Sequence, residues 1–115
     1  MESTTAIQFL AALAQESRLT IFRLLVQKGG HGLPAGAIAE ALGLPAPTLS
    51  FHLAQLKQAG LVTCRRESRS LIYAADYAAM NGLLSYLTEN CCGGSAACAP
   101  AAIAVSPSKA KRRKS

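Results

Sequence analysis

Tryptophan is absent from this chain, and Phe and Tyr contribute only three residues each. A core with so few rings must be filled by Leu, Ile, Val and Ala, and this composition favours helices. A chain of 115 residues provides one domain at most and a single modest core. These limits exclude a two-domain enzyme with a deep cleft between its domains.

Long apolar runs and a basic N-terminal segment are also missing. The first residues, MESTTAIQFLAAL, lack the positive charge of a secretory signal. The apolar run AACAPAAIAV is far shorter than the roughly 18 residues needed to cross a bilayer. We therefore expect a cytoplasmic protein without membrane contact, whose thiols are reduced and available as ligands.

Motifs of nucleotide-dependent or thiol-based enzymes are not found. The chain has no Gly-rich nucleotide loop, no Cys-x-x-Cys motif, and no histidine placed in sequence to activate Cys91. We therefore expect that the protein is not an enzyme.

Positive charge is concentrated near the C-terminus. The net charge is +6, and five of these charges belong to Lys109, Lys111, Arg112, Arg113 and Lys114, so that residues 1–108 carry only +1. The basic run is either a solvated tail or an arm that binds phosphates nonspecifically.

Apolar spacing predicts three helices in the first 43 residues. The first covers residues 6–14 and is expected to bury Ile7, Phe9, Leu10 and Leu13. For the second, Ser17 is the expected N-cap and the buried stripe comprises Leu19, Phe22, Leu25 and Val26. The third has Pro34 in its first turn and ends at Gly43.

A fourth helix is predicted from Pro47 to Ala59, and Gly60 ends it. Two helices joined by a short Gly-containing turn are typical of a helix-turn-helix. If Leu49, Leu53 and Leu56 face inward, the outward residues that can reach bases or phosphates are Thr48, Ser50, Phe51 and Gln55, with Lys57 further along. The alternative for Thr48 and Ser50 is a role at the helix start, and His52 is expected to be packed and hydrogen-bonded.

Two short β-prone segments follow, at residues 61–65 and 70–74, around a polar turn from Arg66 to Arg69. This hairpin would lie beside the two helices as a wing. Its guanidinium groups, on Arg65, Arg66 and Arg69, suit phosphate oxygens or a narrow minor groove. Cys64 is expected to be a small packed residue rather than a metal ligand.

A last helix of about fourteen residues carries one apolar stripe, formed by Tyr77, Met80, Leu83, Leu84 and Leu87. Such a helix either closes the core of its own domain or pairs with a second copy. The expected organisation is a domain at residues 1–92 and a flexible tail with the basic end at residues 93–115.

The segments QESRLTIFRLL, AIAEALGLPAPTLSFHLAQLKQAGLV and RRESRSLIYAA together resemble the ArsR/SmtB family of bacterial repressors. The resemblance covers about residues 8–90. It implies a mainly α fold with a small β-hairpin, the winged helix-turn-helix, dimeric through its terminal helices. It also implies a homodimer that binds double-stranded operator DNA and is released by a metal or metalloid. The chain departs from the family at Phe51, where a polar or basic residue is common, and at Ser68, where the wing usually has Gly.

Two familiar sensor sites of that family are absent. The segment before the predicted recognition helix contains no cysteine, and on the last helix only Asp76 remains of an Asp/His zinc site. The remaining candidates are Cys91, Cys92 and Cys98, in the segment TENCCGGSAAC. Three sulfurs suit a soft, thiophilic ion such as As(III) or Sb(III).

The spacing of these cysteines also has a physical reading. In an intact helix neighbouring side chains diverge by about 100°, so Gly93 and Gly94 are expected to end the helix and let the sulfurs of Cys91 and Cys92 converge, while five residues bring Cys98 back. The pattern resembles an arsenic-responsive subgroup of the ArsR proteins, which implies that all three cysteines bind As(III), and by extension Sb(III) or trivalent methylated arsenicals, within one subunit. The alternatives are a disulfide redox switch, another thiophilic metal, thiols without function, and a metal-binding or partner-binding module that does not bind DNA.

Overall fold

The computed structural model describes residues 1–94, which form five α-helices and a three-stranded antiparallel sheet. The elements follow one another as α1 Ser3–Leu13, α2 Glu16–Lys28, β1 Leu33–Pro34, α3 Ala35–Leu42, α4 Ala46–Ala59, β2 Val62–Glu67, β3 Ser70–Ala75 and α5 Tyr77–Leu87, and a short turn at Cys91–Gly94 ends the described part. The expected mainly α winged helix-turn-helix is confirmed. The expected tail at residues 93–115 lies outside the described residues except for its first two positions.

The helix ends follow capping chemistry, with one correction. Gln15, not Ser17, caps α2, because its side-chain oxygen accepts a hydrogen bond of 2.8 Å from the amide of Arg18. Gly43 and Gly60 end α3 and α4 in the left-handed conformation, with φ of 66° and 95°, as predicted.

The core lies where α1, α2, α3 and α4 meet the sheet. Its most completely buried large side chains are Ile21, Leu25, Ile38, Leu49, Leu53, Leu56 and Leu61. The predicted inward face of α4 is therefore confirmed.

The predicted inward faces of α1 and α2 are partly wrong. Ile7 is 62% exposed and Leu10 43%, while α1 buries Ala6, Phe9 and Ala12. In α2, Leu19 is 44% exposed and Ile21 is buried in its place. Apolar residues surround most of both helices, so spacing alone could not decide which side faces the core. The small residues of α1 let it approach α4 closely.

The sheet contains one strand more than the expected hairpin. β1 is only two residues long and includes Pro34, so no strand pattern in the sequence predicts it. It pairs antiparallel with β3, with Leu33 opposite Tyr73. The β2–β3 ladder runs from Val62 opposite Ala75 to Glu67 opposite Ser70. The turn is therefore two residues long rather than four.

α5 is eleven residues long, shorter than predicted. The Asp76 carboxylate caps it by accepting a hydrogen bond of 3.0 Å from the amide of Ala79. Within residues 1–94, no helix combines the length and apolar character needed to cross a membrane.

Candidate DNA-binding surface and thiol site

The N-terminal half of α4 presents its side chains to solvent. Thr48, Ser50 and Phe51 are exposed, as predicted, around a buried face formed by the three leucines. At 100° per residue, Thr48 and Phe51 share one row, while Ser50 and Lys57 share another. Lys57 is exposed in the last turn of the helix.

Gln55 is less exposed than predicted. It is half-buried and lines an open cavity of about 580 Å³ that also borders Gln8 on α1, Arg18 on α2, and Gln58. The Arg18 Nε donates a hydrogen bond of 2.7 Å to the carbonyl oxygen of Ala12, which ties α2 to the end of α1. At 100° per residue, Gln55 lies between Thr48 and Phe51 around the helix axis, so it shares their side of α4 one turn further along.

His52 is packed, as predicted, but is not hydrogen-bonded through Nδ1. Its side chain is buried, and within residues 1–94 the Nδ1 atom has no hydrogen-bond partner. Its ring meets the ring of Phe51 edge to face, with centroids 5.5 Å apart and planes at 64°. The buried histidine is therefore in ring contact with the exposed phenylalanine.

The three arginines of the wing differ in whether their guanidinium groups are bound to other residues of the protein. Arg65 forms an ion pair of 2.7 Å with Glu67, and its Nη2 donates a hydrogen bond of 2.8 Å to the carbonyl oxygen of His31. Arg66 and Arg69 are exposed, and the described residues contain no ion pair for either. Ser68, at the tip, has a φ of 56°, the conformation that glycine adopts more easily.

Cys64 lies on β2 opposite Tyr73 of β3. Burial raises the pKa of the Tyr73 phenol above its ordinary value, and a hydrogen bond with the Cys64 side chain raises it further. Cys64 and Tyr73 thus form a partly buried cross-strand pair in the sheet.

The sequence predicted that the last helix continues through the cysteine pair to Gly93. In the structure the pair lies beyond the end of α5. The helix ends at Leu87, six residues before Gly93, with Thr88 as its C-cap. Asn90 and Cys92 have φ of 59° and 54°, so the chain reverses around Cys91. The two Sγ atoms lie 3.8 Å apart. The expected convergence is present, and the left-handed backbone that produces it belongs to Asn90 and Cys92 as well as Gly93.

The third cysteine, Cys98, lies outside the described residues. In the part of the chain that the structure describes, no three Cys, His, Asp or Glu side chains gather closely enough to hold a metal ion. Two of the three predicted ligands are thus brought together.

Residues 1–94 leave an apolar face on α1 and α5 uncovered. The two helices pack against each other, and both expose large aliphatic side chains, namely Ile7, Leu10, Leu84 and Leu87. Beside them, between α2 and α5, lies a groove of about 400 Å³ lined mainly by apolar side chains such as Leu19, Phe22 and Met80. Exposed aliphatic patches of this kind mark interaction surfaces.

Sequence reasoning missed the pairing of Arg65, the partial burial of Gln55, and the lack of a hydrogen-bond partner for His52 Nδ1 within residues 1–94. The sequence did contain a signal for the pairing of Arg65: Glu67 is two residues further along, and residues two apart in a strand lie on the same face. The other two depend on how α1 and α4 pack.

Residues 13–65 match a family model described as a helix-turn-helix domain. The chain is 32% identical to the nodulation protein NolR of Rhizobium meliloti, over 76% of this chain and 70% of that protein. It is 30% identical to the transcriptional regulator YgaV of Escherichia coli, over 76% and 86%.

Solved structures show the same fold. A homodimeric winged helix-turn-helix DNA-binding domain from Mycobacterium bovis, described as a possible ArsR-family regulator, has a TM-score of 0.60 at 31% identity, covering 81% of this chain and 86% of that one. A possible transcriptional regulator for arsenical resistance also has a TM-score of 0.60, at 26% identity, covering 70% and 79%. The chain belongs to the ArsR/SmtB family of winged helix-turn-helix transcriptional regulators.

Proposed function

We propose that this protein is an arsenic-responsive transcriptional repressor, a cytoplasmic homodimer that binds operator DNA and leaves it when As(III) binds Cys91, Cys92 and Cys98. The observation that carries the proposal is the 3.8 Å separation between the Sγ atoms of Cys91 and Cys92, next to the end of α5. The likeness to a possible regulator for arsenical resistance supports it.

The sulfur spacing fits a shared soft ion. Bonds of about 2.3 Å from a thiophilic ion to two thiolates, meeting at about 90 to 110°, place the sulfurs roughly 3.3 to 3.8 Å apart. The observed 3.8 Å is at the upper end of this range, so binding would need little movement of the pair. As(III) or Sb(III) takes three sulfurs, with Cys98 supplying the third. A trivalent methylated arsenical has fewer positions left for sulfur.

The homodimer and its DNA contact follow from two surfaces. The exposed aliphatic side chains of α1 and α5 would pair with those of a second copy, as the homodimeric Mycobacterium bovis domain suggests. Two copies of α4 would then enter successive major grooves, about 34 Å apart. Arg66 and Arg69 of each wing would contact phosphates.

The link between arsenic and DNA would run through α5. Its first residue, Tyr77, is hydrogen-bonded to α2, and α2 packs on α4. Chelation just beyond the other end of α5 would change how the two copies of α4 are spaced. A coupling of about 1 to 3 kcal/mol would change operator affinity about 5- to 150-fold, and DNA would weaken arsenic binding by the same factor.

A second candidate is a redox-sensing repressor that uses the same thiols, favoured by the closeness of the two sulfurs. A disulfide between adjacent residues is strained, because Cα atoms about 3.8 Å apart fall below the usual range of about 4.4 to 6.8 Å for disulfides. The redox version would therefore join Cys98 to Cys91 or Cys92.

The deciding experiment is a fluorescence anisotropy titration of labelled operator DNA, with the operator first selected from random duplexes. Reduced protein is bound, and As(III), Zn(II) or an oxidant is added in separate arms. The variants are the triple change of Cys91, Cys92 and Cys98 to Ser, and Cys64→Ser as the matched control.

Release of wild type and Cys64→Ser by As(III), with the triple variant staying bound, supports the proposal. Release by the oxidant alone establishes the redox candidate instead, and release by Zn(II) alone establishes a different metal. An As(III) affinity that is equal with and without operator contradicts the coupling.

A further inference from the structure

The exposed half of the recognition helix α4 carries no group suited to reading guanine or adenine. Its solvent-facing residues up to Ala54 are Ala46, Pro47, Thr48, Ser50, Phe51 and Ala54. Neither Arg, Lys, Asn nor Gln is among them. The first such residues come later in the helix: Gln55, half-buried one turn beyond Phe51, and Lys57 in the last turn.

This composition restricts what the helix can recognise in the major groove. Guanine is usually read by Arg or Lys, and adenine by Asn or Gln, through paired hydrogen bonds. Thymine differs from the other bases in carrying a C5-methyl group, which Phe, Ala and the methyl group of Thr can contact. The chemistry of the exposed face of α4 therefore matches thymine methyls.

Phe51 is the residue placed to make this contact. Its side chain is 57% exposed, whereas the other two phenylalanines, Phe9 and Phe22, are 6% exposed. The ring of Phe51 meets the ring of buried His52 edge to face, which leaves most of the phenyl surface open to a ligand. Thr48 lies one turn earlier in the same row and adds a second methyl-sized contact.

We propose that Phe51, assisted by Thr48, reads thymine C5-methyl groups in each operator half-site and is the main source of base specificity in this chain. The inference rests on the proposed DNA contact through α4 but not on arsenic sensing. It predicts that affinity depends on a methyl group at C5 of the contacted pyrimidine rather than on its hydrogen-bonding edge.

The test compares the selected operator with versions in which single dT positions are replaced by dU, which lacks only the methyl group. Burying one methyl changes affinity about 4-fold, so a homodimer that contacts one thymine in each half-site should bind the doubly substituted operator about 15-fold more weakly. A C·G pair at the same position should weaken binding, and 5-methyl-dC there should recover part of the loss.

The variants separate a direct contact from a change in DNA shape. In Phe51→Ala the ratio of dT to dU affinity should fall to about 1, and Phe51→Leu should keep part of it. Lys28→Ala, which removes an exposed side chain at the end of α2, should keep the full ratio. Equal wild-type affinity for dT and dU operators, or an unchanged ratio in Phe51→Ala, overturns the proposal.

These outcomes are separable from those of the proposed function. All affinities are measured without arsenic, so insensitivity to dU together with normal release by As(III) rejects only the role of Phe51. Normal dU sensitivity without release by As(III) rejects only the arsenic sensor.

Discussion

The hydroxyl of Tyr77 donates a hydrogen bond of 2.8 Å to the carbonyl oxygen of Val26. Tyr77 is the first residue of α5, and Val26 lies in the last turn of α2, where carbonyl groups have no partner within the helix. A side chain on the helix that leads to the cysteines thus completes the end of a helix that packs on α4.

Replacing Tyr77 by Phe should therefore affect both stability and signalling. Loss of the hydrogen bond should lower the free energy of unfolding by about 1 kcal/mol, because the carbonyl of Val26 loses its partner. The As(III)-induced change in operator affinity should also shrink. Urea denaturation and anisotropy titration measure these effects. Tyr86→Phe is the matched control, because the Tyr86 hydroxyl has no hydrogen bond within residues 1–94. Equal effects of both changes would contradict a link between the Tyr77 hydrogen bond and the response to As(III).

Gly32 should not tolerate a side chain. Its φ is 73°, and a Cβ atom there would lie 2.3 Å from the carbonyl oxygen of Tyr73. Gly32→Ala should cost at least about 2 kcal/mol, because either the loop or β3 must move. Gly30→Ala, in the same loop, has no atom within 4 Å and no positive φ, and should cost less than about 1 kcal/mol. Thermal or urea unfolding of both variants measures the loss of stability. Equal losses for the two variants would show that Gly32 does not lie this close to the Tyr73 carbonyl.

Asp76 should act as a helix cap rather than a metal ligand. Its carboxylate accepts the Ala79 amide at 3.0 Å, so Asp76→Ala should lower stability by about 1 kcal/mol, whereas Asp76→Asn keeps an acceptor and should lose much less. Neither change should alter the As(III) concentration that releases DNA. A large shift in that concentration for Asp76→Asn would show that the carboxylate takes part in sensing.

The three wing arginines should contribute unequally to DNA binding. Arg66→Ala and Arg69→Ala should each weaken operator binding and reduce the slope of log affinity against log salt by about 2 for a homodimer, one phosphate contact per subunit. Arg65→Ala should change the slope less, because Glu67 and the carbonyl of His31 already hold its guanidinium. The test is to measure operator affinity at several salt concentrations between about 50 and 200 mM and to compare the slopes of the variants. A slope change for Arg65→Ala equal to that for Arg66→Ala would contradict it.

The sequence by itself determined the succession of the five helices and the hairpin, the inward face of α4, and the closeness of the Cys91 and Cys92 thiols. These features depend on local chemistry: three leucines at helical spacing, glycines that adopt left-handed angles, and a cysteine pair beside Gly93. Such signals act within a few residues, so the chain order is enough to reveal them.

Only the tertiary structure decided which sides of α1 and α2 face the core, that β1 joins the sheet, and that Gln55 is half-buried. It also showed Arg65 paired with Glu67 and Phe51 in edge contact with His52. Helices apolar around most of their circumference can pack in several rotations, and the choice depends on which neighbours fit closely. The partners of a surface charge or an exposed ring depend on packing between elements distant in the chain, which local patterns do not encode.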